Sequence, residues 1–568
     1  MIKCIINQTD KRYIFIAGDR QDIKSIESHL NKIPQYMFLP SFSGIPKPIV
    51  FLDKFKSADG RVIYFIHSGL YLELIEFCEK EGITIEGIDR NVFKHKVQHT
   101  YEEFKDIVSS WNLSIAPYEY QLESVYNILQ YDLSLSQLAT RAGKTLMAYM
   151  VFRYMIEYRN AKNILMVVPS IQLVKQGYED FKEYAEFFKT ETVWAKGEMC
   201  QGSNMTIGTY QSLVKRVDPK SKKYDPKFFD KFDVVCIDET HQAKAESIKQ
   251  ILNHKFMKFV KIRFGFSGTL PLPNTIDSYE VQMFLGGMIQ DIRSKELMDG
   301  GYIAPIVVEQ HRIVYPTFET SNALMDVYIE CAEYLCANYV KDAKGNKILR
   351  DKEDRKMTMI HKKELPYIIK SLKSKIKTKE QKQQYLDYLI NLCKASGSNL
   401  LTLENMVAHQ STKKQTIIHN MLSNRTNNII CFYHYVEYGK SLYNSIKAKF
   451  PDRNVYFISG TINSKKRDAI KNELLKHNNC ILVASYGCTS TGLTFKNLKH
   501  GFFVESFKSH IINKQSLGRG LSLQEGKDCF ELNDIIDCLP TKKIYLQGVQ
   551  KAKLYKQEEY DFSIKYIK

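Results

Sequence analysis

The chain has no pair of cysteines at CxxC spacing. Its twelve cysteines are scattered from Cys4 to Cys538, so neither a zinc site nor a disulfide framework is indicated, and they read as reduced, buried or incidental thiols. No apolar run approaches the roughly 18 residues needed to span a bilayer. Met1-Ile-Lys-Cys-Ile-Ile lacks the charged-then-apolar layout of a signal peptide. Internal repeats and low-complexity linkers are missing too, which excludes solenoids and tethered arrays. These absences lead to the expectation of a cytoplasmic protein.

Acidic residues are in short supply. Against 63 Asp and Glu stand 81 Lys and Arg, leaving a net charge of +18 and an isoelectric point near 9.1. Such a balance fits a polyanionic partner, although a Lys-, Asn- and Ile-rich proteome gives the same sign without one. Hydrophobic residues make up 44% of the 568 residues, enough for real cores. By the usual size range the chain should hold about three to four domains.

Two motifs say what the chain runs on. Leu138-Ala-Thr-Arg-Ala-Gly-Lys-Thr145 follows a short apolar stretch and precedes a helical pattern, the strand, loop and helix order of a phosphate-binding loop. Polyphosphate needs backbone N–H donors, a lysine near the β/γ oxygens and a hydroxyl on Mg²⁺. Thr140, Arg141, Ala142 and Gly143 line that loop, Lys144 supplies the ammonium and Thr145 the hydroxyl. Ile237-Asp-Glu-Thr-His241 closes the run Phe232-Asp-Val-Val-Cys-Ile237, so its carboxylates sit at the carboxyl end of a strand, where open α/β sheets bind ligands. Asp238 is expected to join Thr145 in the Mg²⁺ shell. Glu239 is the natural water-orienting base. A lone GKT or a solvated Asp-Glu cap is the bland alternative to each motif, and their joint order and context argue against it.

Further segments fall in the order of superfamily 2 helicases, which the chain resembles. Tyr120-Gln121 is similar to the Q motif, making Gln121 the adenine reader. Ile164-Leu-Met-Val-Val-Pro-Ser170 and Ile207-Gly-Thr-Tyr-Gln-Ser212 resemble motifs Ia and Ib, which implies backbone contacts to nucleic acid through Pro169, Ser170, Thr209 and Gln211. Gly265-Phe-Ser-Gly-Thr-Leu-Pro271 resembles motif III, so Ser267 and Thr269, with His241, are implied to couple the ATP site to the strand-binding face. A second set begins at Asn428-Ile-Ile-Cys-Phe-Tyr433, similar to motif IV. Ser459, Gly460 and Arg467, then Ser490, Thr491 and Gly492, follow the pattern of the segments up to motif V, with Gly492 implied at the nucleotide and the rest at nucleic acid. Gln515-Ser-Leu-Gly-Arg-Gly520 resembles motif VI. There the resemblance implies that Gln515 touches the nucleotide and that Arg519 reaches across a cleft to the γ-phosphate, a role suited to a guanidinium fork.

The phrasing is most similar to the UvsW-type helicases of tailed phages. It runs through Val483-Ala-Ser-Tyr-Gly487, Ser490-Thr-Gly492, Lys496 to His500, Lys508-Ser509 and Gln515 to Leu521. It is also present in Leu297-Met-Asp-Gly300, around Asp534 to Asp537, and in the N-terminal Tyr36-Met-Phe-Leu-Pro40 and Gly69 to Cys78. The resemblance implies an α/β fold, with two tandem RecA-like parallel-sheet lobes, a small N-terminal α+β accessory domain and a helical insertion. The expected boundaries are 1–105 for the accessory domain, 106–305 for the first lobe and 306–540 for the second, with an insertion at about 318–411 and a tail at 541–568. The implied activity is ATP- and Mg²⁺-dependent unwinding and remodelling of branched DNA by a monomer in the host cytoplasm, alongside recombination or single-strand-binding proteins.

Three departures stand out. Arg141 and Leu138 replace loop glycines, and Thr240 stands where alanine or cysteine is usual. Ser522 takes the place of the last motif VI arginine, and a trans-cleft arginine is worth about 10³ or more in rate, so slow turnover is expected; Lys508, Lys514 or Lys527 are the nearby cations that could help. A double-strand translocase that never separates strands, a slow ATP-gated clamp, and an RNA helicase or annealing factor stay open as alternatives.

Two regions carry weaker signals. In the accessory domain, strands are expected over 2–6, 13–17 and 62–66 and helices near 22–32 and 69–81; the resemblance implies DNA binding there, by duplex or branch recognition, with Lys54, Lys56, Arg61, Lys94 and Lys96 as the basic candidates, and a purely structural appendage is the competing reading. In the insertion, Leu324, Val327, Tyr328, Cys331, Tyr334 and Leu335, and again Tyr385, Leu386, Leu389, Ile390 and Cys393, recur at helical spacing. Between them Lys370, Lys373 and Lys377 are expected on one helical face, to track phosphates or merely to be solvated.

Overall fold

Alternating apolar residues open the chain as a sheet. β1 (Ile2–Ile6) and β2 (Tyr13–Gly18) pair antiparallel, burying Ile2, Cys4, Ile14 and Ile16 on one face. The computed structural model describes residues 1–8, 10–34, 47–57, 59–193, 202–242, 246–253, 257–258, 260–338, 347–350, 357–360, 365–395, 400–460, 462, 464–486, 498–506, 517 and 528–568. They form two units, Met1–Leu297 and Met298–Lys568.

In the first unit, β3 (Asp53–Lys56), β4 (Val62–His67) and β5 (Ile85–Glu86) complete a five-stranded sheet of order β3-β4-β2-β1-β5. Helices Arg20–Leu30 and Tyr71–Glu81 cover its apolar face. Asp19 starts the first of them by accepting from the Asp22 N–H at 3.0 Å. This small domain shares its core with the lobe that follows, because Leu133 and Tyr279 join its apolar cluster. Tyr279 Oη donates to Glu73 Oε1 at 2.7 Å, beside the His29–Glu73 contact at 2.7 Å. Arg12 donates to the Asn253 carbonyl at 2.8 Å. The boundary expected at 105 falls inside a helix, Tyr101–Ser110, which the Thr100 and Glu103 capping box starts.

The lobe that follows is a seven-stranded, all-parallel sheet. Its strands are β6 (Leu133–Leu138), β7 (Ile164–Val168), β8 (Thr190–Val193), β9 (Met205–Thr209), β10 (Val234–Asp238), β11 (Ile262–Ser267) and β12 (Met288–Ile292). The order is β12-β6-β11-β10-β7-β9-β8. Helices cover both faces, so β7 and β10 read as near-continuous apolar runs.

The second unit repeats the architecture. After β13 (Ile306–Val314) comes a small antiparallel hairpin, β14 (Lys347–Arg350) and β15 (Met357–Ile360). β16 (Asn428–Tyr433), β17 (Asn454–Ile458), β18 (Cys480–Ser485), β19 (Leu498–Phe503), β20 (Phe530–Cys538) and β21 (Asp561–Ile567) follow. The sheet order is β17-β18-β16-β19-β20-β13-β21, all parallel. Residues 541–568 are therefore not a detached tail. Helix Lys543–Gln557 packs on β20, and β21 pairs along β13 from Val307 to Ile313.

Between β13 and β16 stand helices Asn322–Asn338, Leu365–Lys373, Lys379–Ala395 and Leu400–His409. They share one apolar core with Ile536, Leu539 and Ile544. The segment is helical as expected, with the hairpin as an unforeseen addition. Lys377 lies beyond the helix that ends at Lys373, so it does not share a helical face with Lys370. Among the described residues no helix is long and apolar enough to cross a membrane.

Candidate ATP and nucleic-acid site

Parallel sheets gather loops at the carboxyl ends of their strands. In the first unit five adjacent strand ends carry five of the motifs. In spatial order these are the phosphate loop after β6, Ser267 to Thr269 at β11, Asp238 to His241 at β10, Pro169 and Ser170 after β7, and Thr209 to Gln211 at β9. The nucleotide candidates lie at one end of this row and the nucleic-acid candidates at the other.

The phosphate loop enters helix Lys144–Tyr158 through Gly143, whose φ of 81° needs a residue without a Cβ. Arg141 is also left-handed, at φ 74°, where a side chain costs about 1–2 kcal/mol. It is half-buried, and burial lowers the pKa of its guanidinium. Gln121 is turned onto this loop. Its Nε2 donates to the Ala142 carbonyl at 2.9 Å, its Oε1 accepts from Tyr118 N at 2.9 Å, and Tyr120 Oη donates to the same Ala142 oxygen at 2.9 Å. The expected base reader thus braces the loop.

Opposite the loop, Glu239 adopts φ 54°. Its carboxylate lies 3.7 Å from Lys144 Nζ and 3.3 Å from His241 Nδ1. His241 Nδ1 is in turn 3.2 Å from Ser267 Oγ, which donates to the Thr269 carbonyl at 2.7 Å and accepts from Thr269 N at 3.2 Å. Lys144, Glu239, His241, Ser267 and Thr269 form one polar chain across three strand ends. Thr240 is fully buried because it packs where Gly265 has no Cβ: an atom there would lie 2.2 Å from Thr240 Cγ2. The β-branched residue fits by that exchange.

Asp238 holds its acidic proton unusually well. Burial and the neighbouring Glu239 push it up to about 6, against the pull of Lys144. Its carboxylate and the Thr145 hydroxyl are hard oxygen donors of the kind that suit Mg²⁺. Sequence reasoning missed Gln137, at the end of β6, which accepts from Leu270 N at 2.8 Å and donates to Asp291 at 2.7 Å. A polar residue inside an apolar strand was the available signal.

At the far end of the row, Gln211 Nε2 donates to the Pro169 carbonyl at 3.3 Å, which joins the two backbone-contact motifs. Thr209 is buried and donates to Ser212 Oγ at 3.0 Å, while Ser170 caps helix Ile171–Tyr184 through Leu173 N. In the second unit, Arg467 donates to the carbonyls of Ser459 and Gly460 at 3.3 Å each. Ser459 is buried and Gly460 exposed. Ser490, Thr491, Gly492, Gln515, Arg519 and Ser522 lie outside the described residues, as do Lys508, Lys514, Lys527 and the 36–40 segment.

Residues 114–272 match the family of the type III restriction enzyme res subunit. The chain is also similar to the ATP-dependent DNA helicase uvsW of Enterobacteria phage T4, at 23% identity over 88% of this chain and 87% of that protein. By these matches the chain is similar to superfamily 2 helicases. Among solved structures, T4 UvsW matches with 19% identity, covering 100% of this chain and 99% of that chain, at a TM-score of 0.43. The ATP-dependent type ISP restriction-modification enzyme LlaBIII bound to DNA matches with 13% identity at a TM-score of 0.50, over 80% of this chain and 31% of that one. That second likeness concerns the fold: tandem RecA-like parallel sheets with a small N-terminal sheet domain.

Proposed function

We propose that this chain is an ATP-dependent DNA helicase that translocates on and remodels branched DNA, processing forks and four-way junctions during recombination, replication and repair. The row of five motif-bearing strand ends carries the reading, since it joins a nucleotide site to a nucleic-acid surface through one continuous sheet edge. Lys144 neutralises the β- and γ-phosphates and Glu239 orients the attacking water. Arg519 is the residue assigned to steady the charge that develops on the transferred phosphoryl group. Thr145 and Asp238 would hold Mg²⁺, which when bound screens the phosphate oxygens. The His241, Ser267 and Thr269 chain carries the change at Glu239 toward the strand-gripping end, where Pro169, Ser170, Thr209 and Gln211 meet the backbone, with Ser459, Gly460, Arg467, Ser490 and Thr491 as the second unit's foothold. The protein acts as a monomer alongside recombination or single-strand-binding proteins.

A slow, ATP-gated DNA clamp is the second reading, favoured by Ser522 in place of the last motif VI arginine. Strand displacement on labelled forks and four-way junctions separates the two. Product formation with ATP and none with a non-hydrolysable analogue supports the helicase. Tight DNA binding with ATP and no displaced strand supports the clamp.

A further inference from the structure

The helical subdomain between β13 and β16 has no part in the motor just described. Residues 362–382 carry eight lysines and two glutamates. The apolar side of this stretch is occupied, because Ile369, Leu372 and Ile376 pack against the subdomain core. The other side is open. Tyr367 is 76% exposed and Tyr334, on the adjoining helix, 54% exposed. Lys373 bonds Glu333 at 2.9 Å, tying the helix of Tyr367 to that of Tyr334, and Tyr385 Oη donates to the same carboxylate at 2.7 Å. Glu333 is thereby neutralised in place. Lys370, Lys375 and Lys377 are exposed and make no carboxylate pair among the described residues.

With Leu272, Tyr367 is the most exposed of the large apolar side chains among the described residues. Unpaired lysines interleaved with exposed aromatic rings are what a single strand requires, since cations follow its phosphates and rings receive its bases. A duplex hides its base faces and would use only the lysines. We propose that this exposed segment grips an unpaired DNA strand, with Lys370 on the helix and Lys375 and Lys377 just beyond its end on phosphates, and Tyr367 stacked on a base. The assignment rests on the helicase reading above and adds a strand contact outside the RecA-like sheets.

The test uses the full chain and a fluorescent oligo-dT, with a blunt duplex of equal length, titrated between about 50 and 200 mM salt. Replacing all three lysines (Lys370→Gln, Lys375→Gln, Lys377→Gln) should lower the log–log salt slope on oligo-dT by about 2, at roughly 0.7 per phosphate contact. Tyr367→Ala should weaken oligo-dT binding about tenfold, with a change under twofold on the duplex. Tyr367→Phe keeps the ring and should restore affinity. Basal ATP turnover should not move, which certifies folding. A triple variant with wild-type slope and affinity overturns the assignment while leaving the helicase reading intact, and so does a Tyr367→Ala variant that is silent on both DNAs. A wild-type protein that binds neither DNA overturns both.

Discussion

Both units carry a seven-stranded parallel sheet, yet the two adjacent acids at one strand end of the first are treated differently from the buried acids of the second. In the second unit each is saturated. Asp534 meets Lys551, Tyr555 Oη at 3.1 Å and Gln310 Nε2 at 3.1 Å. Asp537 meets Lys414 at 2.6 Å and Tyr315 at 2.8 Å. Glu404 caps helix Lys543–Gln557 by accepting from Lys543 N at 2.9 Å and Ile544 N at 2.6 Å. In the first unit, Asp238 and Glu239 share a recess with Lys144, and Asp238 is raised to about 6. A carboxylate with its full complement of donors is a structural part. One left with surplus negative charge at a strand end is suited to a ligand that brings cations.

The largest expected effect breaks the ligand-awaiting side of that contrast. Glu239→Gln should retain ATP binding and lose turnover by about 10²- to 10⁴-fold, read by steady-state hydrolysis alongside nucleotide binding. A variant that hydrolyses at the wild-type rate would remove Glu239 from the chemistry. Next comes the saturated side. Lys551→Ala leaves Asp534 buried without its cation and should cost about 3–5 kcal/mol in urea unfolding, with the affinity of the phosphate loop for an ATP analogue unchanged.

The seam between the accessory domain and the first lobe sharpens the comparison with groups of the other sign. Burial, with Arg263 and Arg12 nearby, lowers His67 to about 3. The unfolded chain therefore takes up a proton below the ordinary histidine value while the folded chain refuses it. Stability should fall as pH drops from about 6.5 toward 3, by roughly 1 kcal/mol per unit. His67→Phe should remove that share of the slope in denaturation series at pH 7, 6 and 5. The smallest effect concerns strain: Arg141→Gly suits φ 74° and should raise the melting temperature by the equivalent of up to about 1 kcal/mol.

The two lobes were legible because apolar runs such as Val234 to Ile237 end in ligand-bearing loops, and few folds other than an open parallel sheet couple that period to that punctuation. Three of the five accessory strands emerged for the same reason, within a residue of their observed ends, while the short, exposed β3 and the two-residue β5 gave no such pattern. Long-range contacts were not legible. Nothing local announces that Asp561–Ile567 will pair beside β13, since a short polar-apolar alternation fits any sheet edge. Nor does Tyr279 advertise that it closes the accessory core. Within the site, residue types and spacing pointed to Lys144, Asp238 and Glu239, and the resemblance to His241 and Ser267; the fold brings all five to neighbouring strand ends. The turn of Gln121 toward Ala142 could not be read, because an amide side chain has several partners within reach and only packing chooses among them.

ATP turnover by the purified chain, alone and with single-stranded, duplex, fork and four-way-junction DNA, beside Lys144→Ala, tests the central claim most directly. Stimulation by branched DNA that Lys144→Ala abolishes is the result expected of a motor whose nucleotide site and DNA surface share one sheet edge. Hydrolysis that no DNA stimulates, in a protein that still binds ATP, would contradict it.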